Sequence, residues 1–329
     1  MCSTPLTDTV ICTCAYRNGM PILGRTGLDV FGVCLGGNVF GWTADEQESF
    51  AVLDAYVEAS GNFIDTANSY LVKGGESETI IGRWMRERGN RDDLVVATKV
   101  GGGKGPTRSL KPDNVESQAE ASLQRLQTDR IDVYYAHFDD EETPLEDSLR
   151  AFDALVQSGK VGHVAASNYS PERLSRALEL QREDGLAEFT VLQPHYNLVE
   201  RDYERALLPI ADGWSLAVCP YYGLAKGFLT GKYRPGGKAV KSQRAEAARV
   251  YLERYGKPVL EALDEVAQAH DVEPAAVAIA WLRAHPHVVA PIASARTPEQ
   301  LAAILPGASL ELTEQEVDRL SATTRSALA

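Results

Sequence analysis

Phe63-Ile64-Asp65-Thr66-Ala67-Asn68-Ser69-Tyr70 is the stretch from which the chain is best read. A short apolar run ends in a carboxylate, a tyrosine follows five residues later, and an amphipathic segment over 76–88 comes next. That is one strand–loop–helix unit. The unit recurs. Apolar runs at Val30–Leu35, Asn62–Asp65, Leu94–Lys99, Ile131–His137, Gly162–Ser167, Val191–Gln193, Leu216–Cys219 and Val288–Ala293 alternate with helical stretches over 46–60, 76–88, 113–127, 145–158, 171–182, 202–211 and 274–284. Helix starts are expected at Thr43, Ser170-Pro171-Glu172 and Thr297-Pro298-Glu299, with Gly61, Gly89 and Gly159 just past helix ends. Strands alternating with helices in this way predict an α/β protein with a parallel sheet closed into a (β/α)₈ TIM barrel.

A doubly wound open sheet is the competing architecture, and it calls for a Gly-x-Gly-x-x-Gly turn after its first strand. Leu35-Gly36-Gly37-Asn38-Val39-Phe40-Gly41 lacks that spacing, and Gly101-Gly102-Gly103-Lys104-Gly105 has no Lys-Ser/Thr pair to make a Walker loop. Residues 1–18 show no periodicity and are expected to be a flexible tail, with 19–329 as one barrel domain. Residues 19–30 predict a small hairpin at its start. Thr313-Glu314-Gln315-Glu316 predicts a capped extra helix at its end.

Composition narrows the partners. The 329 residues are 44% hydrophobic with a net charge of −13, and such an acidic globular chain repels phosphate backbones, so nucleic acid is not an expected partner. No apolar run is long enough to span a membrane. The first residues have no basic region followed by an apolar core, so a cytoplasmic location is expected. Cys2, Cys12, Cys14, Cys34 and Cys219 are odd in number and scattered, which argues against a disulfide framework, and no metal site is expected from the spacing of cysteines and histidines. One basic segment, Lys226 to Lys257, stands out; it is read as a solvated loop or as a local site for a phosphorylated ligand.

In a barrel, chemistry sits where strands end. The residues there are Asp65 with Tyr70 just after it, Lys99, His137, Ser167 with Asn168, Gln193 and Tyr221. Any one of them has a structural explanation as a cap, a rim cation or a half-buried imidazole. Together they complete an acid–cation–donor set. A phenol titrates near about 10 in water, and it becomes a useful acid only where its environment favours the proton transfer.

At this point the chain resembles the aldo-keto reductases. The resemblance lies in Asp65-Thr66-Ala67-Asn68-Ser69-Tyr70, in Val96-Ala97-Thr98-Lys99, and in Asp132-Val133-Tyr134-Tyr135-Ala136-His137. It continues through Ala166-Ser167-Asn168, Gln193-Pro194-His195-Tyr196-Asn197, the run from Tyr221 to Lys232, and Ser294-Ala295-Arg296-Thr297-Pro298-Glu299-Gln300. It covers about residues 20–325. It implies NADPH-dependent reduction of an aldehyde or ketone to an alcohol, with Tyr70 as proton donor, Lys99 paired to Asp65 and lowering the phenol's pKa, and His137 orienting the carbonyl. Ser167, Asn168, Gln193 and Tyr221 would hold the nicotinamide; Leu224, Lys226, Gly227 and Lys232 would line the loop at the pyrophosphate; Ser294, Arg296 and Gln300 would take the adenosine 2′-phosphate. Two departures bear on the pocket: Tyr222-Gly223 stands where Ser-Pro or Ser-Ala is usual, and Asn38-Val39 replaces a Thr-Met pair.

Phe40, Trp42 and Phe138 are expected to wall a pocket for a sugar, ketone or aldehyde, while Asp139-Asp140-Glu141-Glu142, if it faces that pocket, disfavours anions. Monomer and homo-oligomer are both open. The alternative function is a nicotinamide-binding regulatory or sensor subunit with little turnover. A Schiff-base aldolase with Lys99 as nucleophile is disfavoured, because a neighbouring carboxylate keeps the amine charged.

Overall fold

The computed structural model describes residues 16–17, 19–70, 74–103, 108–237, 240 and 242–324. Eight strands carry the architecture: β1 (Cys34–Gly36), β2 (Phe63–Asp65), β3 (Val95–Val100), β4 (Ile131–Ala136), β5 (Val161–Ser167), β6 (Phe189–Gln193), β7 (Ala217–Val218) and β8 (Ile292–Ala293). From β1 to β7 each pairs in parallel with the next in chain order, and β8 pairs in parallel with β1. The ring closes between β7 and β8 through Val218 N–H to His287 O at 2.8 Å, Val289 N–H to Val218 O at 2.9 Å and Ile292 N–H to Pro220 O at 2.8 Å. This is the (β/α)₈ barrel.

The helices between the strands are α1 (Glu46–Glu58), α2 (Glu76–Arg88), α3 (Pro112–Leu126), α4 (Leu145–Gln157), α5 (Pro171–Glu183), α6 (Asp202–Ala206), α7 (Leu208–Trp214), α8 (Ala245–Ala269) and α9 (Pro274–Arg283), and α10 (Pro298–Ala302) and α11 (Glu314–Ala322) follow the last strand. Start signals act as capping chemistry requires. The Ser170 side chain accepts from Arg173 N–H, Thr297 accepts from Gln300 N–H, and Thr313 with Glu316 forms a capping box. The start of α1 is corrected from Thr43 to Asp45, which forms a capping box with Glu48.

Other boundaries moved. The first strand lies at Cys34–Gly36, not Val30–Leu35, and the last is confined to Ile292–Ala293 within Val288–Ala293. The helix expected over 202–211 is two short helices, with Pro209 in the first turn of the second. The basic segment is not simply a loop. From Ala245 it enters the 25-residue α8, kinked where Gly256 leaves helical geometry and Pro258 supplies no N–H. The expected tail 1–18 lies outside the described residues except Tyr16–Arg17. These two pair antiparallel with Met20–Pro21, so the hairpin begins earlier than residue 19.

Two apolar layers follow from the two faces of each strand. The outer face packs under the helices, with Ile64, Val96, Val100, Tyr134, Ala136 and Leu192 among its members. The inner face forms a separate core of Phe63, Val95, Ala97, Val133, Tyr135, Ala165, Val191, Ala217 and Cys219. Leu23 and Val30 of the hairpin region belong to this inner cluster. Phe40 is fully buried in the outer layer, so its expected place in the pocket wall is corrected. Its N–H turns back to Gly37 O at 3.0 Å, which carries the ring away from the strand end.

Candidate active site

The site is the next inward step above the inner core. Side chains alternate along a strand, so the residue two beyond an inward-facing one also faces inward. From Phe63 that step is Asp65; from Ala97 it is Lys99; from Tyr135, His137; from Ala165, Ser167; from Val191, Gln193; and from Cys219, Tyr221. The barrel thus gathers side chains that are up to 156 residues apart in sequence, as the numbers 65 and 221 show.

At the floor, Lys99 Nζ donates to both oxygens of Asp65 at 2.6 Å and to Thr66 O at 2.7 Å, and it reaches Tyr70 Oη at 3.4 Å. Lys99 has no exposed surface and Asp65 only 2%. A buried pair of this kind survives because nearly every charge-bearing atom has a partner. Gln193 Nε2 adds a third bond to the carboxylate, to Oδ1 at 2.9 Å.

Tyr70 behaves differently from the sequence-based expectation. Burial, followed by the Asp65 carboxylate, pushes its phenol well above the usual range. Lys99 does not win this contest because Asp65 already neutralises it at shorter distance. Tyr70 is therefore a fully protonated acid at neutral pH. His137 is held neutral: burial, then the Lys99 charge, lowers it to about 3. Its ring stacks on Phe138 at 4.9 Å, meets Tyr70 edge-on at 6.2 Å, and places Nδ1 3.4 Å from Ser69 Oγ.

A cavity of about 460 Å³ opens above this floor. Of the residues named from sequence, Trp42, Asp65, Tyr70, His137, Phe138, Ser167, Asn168, Gln193, Tyr221, Leu224, Lys226, Gly227, Lys232, Ser294, Arg296 and Gln300 line it. Lys99 is not part of the lining and meets it through its contacts with Asp65 and Tyr70. Asn168, in a left-handed conformation (φ 55°), donates to His137 O at 2.8 Å and to Ser167 Oγ at 2.9 Å, and accepts from Tyr221 Oη at 2.8 Å. The Tyr221 ring is backed by His195, stacked at 5.2 Å. At the far end, Ser294 Oγ donates to Asn38 Oδ1 at 2.7 Å and Gln300 Oε1 accepts from Arg296 N–H at 3.1 Å. Glu299 is exposed and outside the lining, its carboxylate tied to Thr297.

The acidic run after Phe138 is structural. Asp139 binds Arg173 through two bonds of 2.7 and 2.8 Å, and Asp140 accepts from Leu110 N–H, Ser109 and Thr143. None of 139–142 lines the cavity. Sequence reasoning missed Arg244 as a lining residue, whereas Asn38, Val39, Tyr222 and Gly223, noted from sequence as departures that bear on the pocket, all line it. Arg244 sits within the basic segment that had been noticed, but only the fold turns it inward.

Lys226, Lys232 and Arg296 line the cavity without a carboxylate partner among the described residues, and burial together with Arg296 and Arg244 lowers Lys232. Mutually repelling, partly desolvated cations in one groove fit a polyphosphate ligand.

The chain belongs to the aldo/keto reductase family. The family model described as "Aldo/keto reductase family" matches residues 32–325. An uncharacterized oxidoreductase of Bacillus subtilis (strain 168) is 34% identical over 310 residues, covering 91% of this chain and 93% of that protein. Norsolorinic acid reductase B of Aspergillus parasiticus is 33% identical over 321 residues, covering 93% and 83%. A putative aryl-alcohol dehydrogenase of Saccharomyces cerevisiae is 32% identical over 328 residues, covering 91% and 85%. These relatives are oxidoreductases by name, and the family uses nicotinamide cofactors and small carbonyl substrates. No helix among the described residues is long and apolar enough to cross a membrane.

Proposed function

We propose that this aldo/keto reductase reduces the carbonyl of an aromatic aldehyde or ketone to the alcohol with NADPH as reductant. The observation that carries the proposal is the buried Lys99–Asp65 pair holding Tyr70 Oη within 3.4 Å at the floor of the cavity. A nicotinamide held in this cavity would supply the hydride. Tyr70, protonated across the physiological range, donates its proton to the carbonyl oxygen, and Lys99 stabilises the phenolate left behind. Solvent then returns the proton. Neutral His137 serves as a hydrogen-bond partner that orients the carbonyl rather than as a proton reservoir.

Ser167, Asn168, Gln193 and Tyr221 would hold the nicotinamide end, and Leu224, Lys226, Gly227 and Lys232 the pyrophosphate. Ser294, Arg296 and Gln300 would take the 2′-phosphate. Arg296 beside the start of α10 suits a phosphate dianion better than a ribose hydroxyl, which supports NADPH over NADH. Trp42, Phe138 and Tyr222 give the substrate end aromatic walls, in keeping with the aryl and norsolorinic acid substrates named for the relatives.

Loss of the reduced-nicotinamide absorbance band, followed with a panel of aldehydes and ketones, tests the reading. Turnover should favour NADPH over NADH, and Tyr70→Phe should lower kcat by about 10² to 10⁴ while leaving NADPH affinity nearly unchanged. Full activity in Tyr70→Phe would refute the assignment, and tight NADPH binding without turnover of any carbonyl would make the protein a sensor instead.

A further inference from the structure

Gln193 and Asp65 meet across the bore of the barrel. Asp65 ends β2 and Gln193 ends β6, four strands further round an eight-stranded ring, so the two stand on opposite walls. Their side chains still touch: Gln193 Nε2 donates to Asp65 Oδ1 at 2.9 Å, from 128 residues away in sequence. Gln193 is 3% exposed, and an ionised carboxylate can only accept, so the amide nitrogen is the end that faces Asp65. The residue is also fixed through its main chain. Ser167 Oγ donates to Gln193 O at 2.8 Å, and Asn168 Nδ2 donates to Ser167 Oγ at 2.9 Å.

A carboxylate offers about four lone-pair sites. Lys99 takes two of those on Asp65, Gln193 takes a third, and the Tyr70 hydroxyl donates as well. That last bond works against a proton donor, because a phenol that donates to a carboxylate holds its proton more firmly. Gln193 weakens the hold. Its amide dipole offsets part of the Asp65 charge, and it fills a lone pair that the phenol would otherwise share. The other titratable groups at the floor are Tyr135, His137, Cys34 and Cys219. Burial keeps that phenol and both thiols protonated and the imidazole neutral, so none of them brings a further charge to the pair.

We propose that Gln193 is a positioning residue for proton transfer: its bond across the barrel to Asp65 loosens the carboxylate's grip on the Tyr70 proton, a role beyond holding a nicotinamide. This rests on the carbonyl-reductase reading above. The test follows single-turnover reduction of benzaldehyde at saturating NADPH, in ordinary and in heavy water, with NADPH affinity read separately by fluorescence titration. Gln193→Met keeps the length of the side chain and has no donor. Its rate should fall at least about tenfold, the share of one hydrogen bond to a charged group, and its solvent isotope effect should rise as proton transfer slows. Gln193→Glu supplies the donor only while protonated. Two adjacent carboxyls share one proton, so this variant should react almost as fast as the wild type near about pH 5.5 and about tenfold more slowly by about pH 9. The wild type should be flat over that interval, and the variant's NADPH affinity should not fall in parallel.

Gln193→Met at the wild-type rate would overturn the inference, leaving the amide as a cofactor contact alone. So would a slower Gln193→Met with an unchanged isotope effect, since that assigns the loss to hydride transfer from a displaced nicotinamide. A Gln193→Glu profile as flat as that of the wild type overturns it too, and decides the matter by itself if Gln193→Met does not fold. In each of these cases wild-type turnover is intact and this inference alone fails. If the wild type reduces no carbonyl compound, the reading of the site fails with it.

Discussion

Removing the ammonium beneath the proton donor should separate stability from catalysis. In Lys99→Met the apolar stem is kept and three short bonds are lost: two of 2.6 Å to Asp65 and one of 2.7 Å to Thr66 O. Asp65, 2% exposed, is then left with the neutral donors Gln193, at 2.9 Å, and Tyr70 as side-chain partners. Leaving one member of a buried ion pair uncompensated costs about 3–5 kcal/mol. For a domain of this size that corresponds to a fall in Tm of roughly 5–8 °C. Catalysis should fall by about 10² or more, because the phenolate formed at Tyr70 loses its counter-charge. The double variant Lys99→Met/Asp65→Asn removes the stranded charge as well. Replacing both partners of a buried pair is often close to neutral, so the double variant should regain most of the lost Tm. It should regain none of the activity. Differential scanning calorimetry beside single-turnover kinetics reads both quantities. A double variant as unstable as the single would refute the argument, because Asp65 could not then be the source of the cost.

Three other outcomes follow from the same geometry. His137 binds fewer protons folded than unfolded between pH 6.5 and about 3, so stability should fall as pH drops through that window, by up to about 1.4 kcal/mol per pH unit. Burial also lowers His163, His195 and His285, which add in the same direction, so acid titration should show loss of stability beginning near the histidine range; a curve flat down to the carboxylate range would contradict this. Gly102→Ala would place a methyl 2.3 Å from His137 Nδ1 and 2.5 Å from Ser69 Oγ, so kcat should drop by up to about 10² through displacement of the imidazole, with only about 1–3 kcal/mol lost in unfolding titrations. Arg296→Ala should weaken NADPH binding about ten- to a hundredfold and leave NADH binding nearly untouched, as measured by fluorescence titration; equal losses for both would remove the 2′-phosphate from this residue.

Most of the barrel was legible because repeated strand–loop–helix units leave few ways to bury both faces of a parallel sheet. Boundaries were less so. Val30–Leu35 is apolar enough for a strand, yet Val30 joins the inner core beside hairpin residues and the ladder starts only at Cys34. Gly256 and Pro258 obscured α8, since in sequence both read as helix breakers and they split its apolar face in two, and its role depends on packing against the rest of the fold. Phe40 and Trp42 read alike, two aromatics in one loop; a turn of backbone sends one into the outer layer and leaves the other 46% exposed beside the cavity.

The sequence by itself determined which residues stand at the strand ends, because a period of two along each apolar run dictates that Asp65, Lys99, His137, Ser167, Gln193 and Tyr221 share the inner face. It could not determine their protonation. Whether Lys99 lowers the Tyr70 phenol or is itself cancelled by Asp65 depends on distances of 2.6 against 3.4 Å and on the loss of water around all three groups. Nor could it turn Arg244 inward between Trp42 and Tyr222. Electrostatic energies depend steeply on separation and on local solvent, and both are set only when distant parts of the chain close around one cavity.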